Sequence, residues 1–144
     1  TQGWTSDDEL DPIVADTGDF SFPGIAGRTY LIEAAFDPET TGTGNGKVSL
    51  TASGGAGTAS LFRQTVDSFN SDGSVSAPVT NTTLGTTINN LAAQNSPQFI
   101  RYHAYITVGT AGTFTLEFAQ NVSTGVVTNI MRGRFEVREV LLNA

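Results

Sequence analysis

The chain has 144 residues, enough for one domain that buries most of its apolar surface and too few to need a second core. Its formal charge of −7, from 14 acidic and 7 basic residues, opposes binding to a phosphate backbone, and no apolar run approaches the roughly 20 residues that a bilayer-spanning helix requires. No nucleic-acid or membrane partner is therefore expected, while the absence of cysteine excludes disulfides and thiol chemistry and leaves the redox compartment open.

Residues 1–16 read as an N-terminal arm with Trp4 as its one large anchor, and residues 17–144 as the domain proper. The first 19 residues carry Asp7, Asp8, Glu9, Asp11, Asp16 and Asp19 without a basic residue. They lack the basic and then apolar pattern of a secretion signal. Asp19 to Phe22 suggests a short strand, followed by a connection from Pro23 to Gly27. Thr29 to Phe36 alternates with Tyr30, Ile32, Ala34 and Phe36 on one face, the two-residue period of a half-buried strand. Asp37-Pro38-Glu39 is expected to open a turn-rich connection, Lys47 to Ala52 to form a short strand, and Gly54 to Gly57 to end it.

Thr58 to Val66 reads as the next strand and Asp67 to Pro78 as a surface connection. Leu84, Ile88 and Leu91 fall at roughly helical spacing, but the Thr and Asn around them favour extended structure and turns. The strongest pattern follows. Phe99 to Val108 places Ile100, Tyr102, Ala104, Ile106 and Val108 on one face. After an expected turn at Gly109 to Gly112, Phe114, Leu116 and Phe118 repeat the period, and the pair is expected to form an antiparallel hairpin. Arg132 to Val140 is the last strand, with Phe135 and Val137 on one face and Arg134, Glu136 and Arg138 on the other. The whole predicts an all-β fold of seven to nine strands packed as a two-sheet β-sandwich.

No reaction centre stands out. Gly42 to Val48 departs from the phosphate-binding pattern and precedes a strand rather than a helix. His103, the single histidine, falls on a polar strand face with no local nucleophile, which suits surface hydrogen bonding or a subunit contact. Glu33 and Glu117 both fall on outward faces and would have to meet across one concave sheet to act as a hydrolytic pair; solubilising strand residues is the ordinary reading. Asp7, Asp8, Glu9 and Asp11 offer hard oxygen ligands, but without the glycine and distal glutamate of a calcium loop. Asn81 and Asn121 open minimal glycan-acceptor triplets. Trp4, Tyr102 and Tyr105 do not form a sugar platform, because Tyr102 and Tyr105 belong to opposite strand faces. The chain is accordingly read as no enzyme, with no cofactor and no metal.

Four segments carry a family likeness: the acidic lead Asp7-Asp8-Glu9-Leu10, the strand Gly27-Arg28-Thr29-Tyr30-Leu31-Ile32-Glu33-Ala34, the segment from Gly112 to Asn121, and Arg134-Phe135-Glu136-Val137-Arg138. Together they resemble the jelly-roll head decoration, or cement, proteins of tailed bacteriophages. That resemblance implies a jelly-roll sandwich, a homotrimer on the outer capsid surface of the virion, and the major capsid protein as partner. On this reading Trp4 anchors the arm, while Asp7, Asp8, Glu9 and Asp11 pair with basic groups of the shell. The alternative is a receptor- or carbohydrate-binding tail or fibre appendage that uses Tyr, Asn and Thr on loops or a sheet.

Overall fold

A computed structural model describes residues 2–4, 11–12, 14–15, 18–40, 46–53, 57–69, 78–91, 99–120 and 128–141. The strands in chain order are β1 (Gln2–Trp4), β2 (Asp11–Pro12), β3 (Val14–Ala15), β4 (Gly18–Asp19), β5 (Ser21–Gly24), β6 (Thr29–Thr40) and β7 (Gly46–Ser53). They continue with β8 (Thr58–Phe69), β9 (Val79–Asn81), β10 (Ile88–Leu91), β11 (Phe99–Thr110), β12 (Gly112–Gln120) and β13 (Thr128–Val140).

The strands build two antiparallel sheets. The larger has the order β1-β13-β6-β11-β8-β9 and the smaller β10-β7-β12-β2, with β5 beside β2 along the same edge of β12 and β3 paired with β4 apart from both. The expected two-sheet sandwich is therefore present, and among the described residues no barrel or jelly-roll closure joins the sheets. The alternation of apolar side chains explains the arrangement. Tyr30, Ile32, Ala34, Phe36, Ile100, Tyr102, Ala104, Ile106 and Val108 of the larger sheet are buried against Val48, Leu50, Phe114, Leu116 and Phe118 of the smaller. Phe20 and Phe22 close one side, Phe20 stacked on Phe135 and Phe22 on Phe114.

Among the described residues thirteen strands replace the expected seven to nine, since two- to four-residue pieces such as β1 to β5, β9 and β10 add to the long ones. Three further expectations change. The segments around Gly109 to Gly112 do not form a hairpin: β11 bonds to β6 and β8, whereas β12 bonds to β7, β5 and β2 in the other sheet. Only Ala111 separates the two strands. Both have a buried apolar face, and the chain satisfies both by crossing between sheets, so the two faces meet across the core instead of lying side by side. Asp37-Pro38-Glu39 belongs to β6 rather than to a turn. Beyond Phe36 the described pairing of β6 runs to β13 alone, and a proline, lacking an N–H, is tolerated where a strand is bonded on one side. The strand expected to end at Val66 runs on to Phe69, because Asp67, Ser68 and Phe69 pair with Arg101, Ile100 and Phe99. Residues 70–77 of the expected connection, and 54–56 of the glycine cluster, lie outside the described residues. The 79–91 segment is extended, as its Thr and Asn content favours, with a turn around Gly85 at φ 81° between β9 and β10.

A buried polar tether joins the sandwich halves. Gln64 lies on the inward face of β8 and is fully buried. The Tyr102 hydroxyl donates to Gln64 Oε1 at 2.9 Å, and Gln64 Nε2 donates to the Thr86 carbonyl at 3.0 Å. The Ser49 hydroxyl of β7 approaches that carbonyl from the other sheet at 3.4 Å. Burial pushes the Tyr102 hydroxyl well above its usual pKa, so it stays a proton donor.

Candidate functional site

The outward face of the larger sheet gathers the charged side chains into rows set by strand register. Arg134, Ala35, Arg101 and Asp67 form one row; Glu136, Glu33, His103, Thr65 and Thr80 form the next; Arg138, Leu31, Tyr105 and Arg63 form the third. Within these three rows stand four cations, Arg63, Arg101, Arg134 and Arg138, and three acids, Glu33, Asp67 and Glu136. In a strongly acidic chain the three rows are thus close to neutral together, with basic rows on either side of an acidic one.

The ion pairs on it are open to solvent. Arg101 donates to Asp67 at 3.0 Å and lies 5.6 Å above the Phe69 ring. Arg134 bonds Glu136, while Glu33 lies 3.9 Å from His103 Nδ1 and 3.7 Å from Arg138. Such pairs contribute about 0–1 kcal/mol each to stability, so they brace the sheet little. Because Ala35 has a single methyl between Arg134 and Arg101, a depression of about 270 Å³ opens over it. A second, of about 360 Å³, lies beside the turn before β10, where Thr58, Ser60, Thr82 and Thr83 surround Phe62 and Leu84.

The residues singled out from the sequence are dispersed. Trp4 is placed in β1 opposite Thr128, at an edge of the larger sheet, and Asp11 in β2 opposite Phe118, at an edge of the smaller. Asp7, Asp8 and Glu9 lie outside the described residues. Glu33 and Glu117 occupy outward positions of different sheets, with the core between them, so they form no hydrolytic pair. His103 lies between Glu33 of β6 and Thr65 of β8, with its Nδ1 3.9 Å from the Glu33 carboxylate. Tyr102 is buried and Tyr105 lies on the outward face, as their alternation requires. Asn81 Oδ1 accepts from the Thr83 N–H at 2.7 Å, which shapes the turn after β9. Among the described residues no three His, Asp or Glu side chains cluster so as to hold a metal.

Two features went unread in the sequence. Gln64 shares the inward face with Phe62 and Val66, so alternation alone marked it as a buried amide that would need partners. The charge rows had no such signal, since they arise from register between strands distant in the chain. Comparison with protein-family models, curated proteins and solved structures finds no match to this chain.

Proposed function

We propose that this chain is a structural virion protein that binds the outer surface of a capsid as a symmetric oligomer and stabilises the shell. The observation that best supports this reading is the mixed-charge outward face of the larger sheet, whose rows of Arg and carboxylate side chains suit a protein partner. The carboxylates of Asp7, Asp8 and Glu9 lie in sequence between β1 and β2. Together with Trp4 and Asp11 they would supply charge-assisted and apolar contacts to the major capsid protein. A protein that binds the assembled shell and not its dispersed subunits stabilises the shell by mass action.

Purified protein mixed with undecorated capsids of its own phage should appear at symmetry-related positions in a low-resolution map and raise the temperature at which the shells open. Deleting residues 1–11 should lower occupancy. Intact shells without added density at saturating protein would refute the proposal. The appendage alternative rests on the hydroxyl-lined groove around Thr58, Ser60, Thr82 and Thr83. Its aromatic floor, Phe62, is buried and offers no stacking platform, so a glycan array is expected to show no saturable binding.

A further inference from the structure

We infer that residues 133–141 form a two-fold edge contact with the same residues of a second copy, centred on Val137, which joins two larger sheets into one. The inference is independent of the capsid reading.

On one side, β13 is bonded to β6; on the other, β1 bonds to residues 128–130 alone. From Gly133 to Val140 no described strand takes up the second side, and β3, which packs nearby, pairs only with β4. Such an edge presents a row of free N–H and C=O groups to any strand that approaches. Proline, bulges and charged side chains are the usual guards. This stretch has no proline, and the irregularity in β13 lies before it, between Ile130 and Gly133. Its outward charges, Arg134, Glu136 and Arg138, alternate in sign and so repel only some registers.

The sequence also selects the occupant and its register. An antiparallel second copy keeps outward faces together only in alternate registers. Centring on Phe135 would bring Val140 of the second copy against Ile130, whose outer side is already taken by Gln2. Centring on Glu136 would oppose Glu136 to its own copy and Arg134 to Arg138, like charge against like. Centring on Val137 sets Glu136 opposite Arg138 of the second copy, twice by symmetry, and ends the ladder before β1 begins. It also sets Leu141, 83% exposed and the most exposed of the described large apolar residues, opposite Gly133 of the second copy. The ring of Phe20 lies directly beneath Gly133, so the leucine meets an apolar floor with no side chain in its way.

Native mass measurement and light scattering of the full chain at tens of micromolar should give twice its 15.1 kDa mass. Glu136→Arg should weaken the dimer roughly tenfold or more, by turning two opposite-charge pairs into like-charge pairs, and Glu136→Arg with Arg138→Glu should restore it. Because the chain has no cysteine, a single introduced thiol reports position cleanly. On oxidation Val137→Cys should form a disulfide dimer, since directly opposed Cα atoms are about 4.5–5.5 Å apart. Leu141→Cys should not, because its two copies would lie roughly 26 Å apart. A monomeric or trimeric wild-type chain, a dimer indifferent to Glu136→Arg, or equal cross-linking at both positions would overturn the inference. Loss of capsid binding alone would leave it standing.

Discussion

Tyr102→Phe isolates the polar tether inside the sandwich. The substitution preserves the ring and its packing but removes the donor to Gln64 Oε1, leaving a fully buried amide oxygen without the 2.9 Å bond that satisfies it. Stranding a buried acceptor costs about 1–3 kcal/mol, and the missing oxygen atom adds little cavity. At about 0.3 kcal/mol/K of unfolding entropy for a chain of this length, a central loss of about 2 kcal/mol lowers Tm by about 7 °C. Urea denaturation at fixed protein concentration should show the same loss through the midpoint, with the slope unchanged. Gln64→Leu should cost more, since it strands the Tyr102 hydroxyl and takes the 3.0 Å donor from Thr86. The double variant should then be more stable than the sum of the single losses by about 1–2 kcal/mol, because two apolar groups strand fewer atoms than one mismatched pair. A Tyr102→Phe loss below about 0.5 kcal/mol, or strict additivity, would refute the tether.

The raised pKa of Tyr102 gives a signed pH dependence: the folded state holds the proton more tightly, so the contribution is full below the unfolded value near 10 and is lost as pH rises through the folded one. Unfolding free energy should fall by up to about 1.4 kcal/mol per pH unit above about pH 10, less steeply in Tyr102→Phe, as measured by denaturation across pH 9 to 11. Gly46→Ala would set a Cβ 2.6 Å from Phe118 Cε2, against a ring buried edge-on to Phe36. A loss of about 1–3 kcal/mol is expected in thermal melts. Arg101→Ala removes a solvent-open pair with Asp67 and should cost no more than about 1 kcal/mol, and less still in 1 M salt, where denaturation midpoints of variant and parent should converge.

Alternation made the core legible. The inward sets 30, 32, 34, 36 and 100, 102, 104, 106, 108, with Phe114, Leu116 and Phe118, are buried as their spacing requires. It could not reveal which strand lies beside which, because a period of two specifies a face and says nothing of the neighbour. That is why the two strongest patterns read as a hairpin although they belong to opposite sheets. Pro38 misled for a related reason: it breaks a strand bonded on both sides and not one bonded on a single side. The charge rows depend on the same neighbour relations. Arg134 and Arg101 flank Ala35 only because β13 and β11 both pair with β6, an arrangement set by how the whole core closes.

The crossing at Ala111 also governs how the chain reaches its fold. Had β11 and β12 paired, a local hairpin could have formed within microseconds and served as a seed. Instead β11 must find β6, about seventy residues upstream, and β12 must find β7 at a similar remove, while β13 returns to β6 from near the far end of the chain. Each closure spends chain entropy before its apolar face gains a partner. A domain wired in this way belongs with the slow, high-contact-order β proteins, folding in milliseconds to seconds. Until the sheets close, its longest strand edges are open to other chains, so refolding yield should fall as concentration rises.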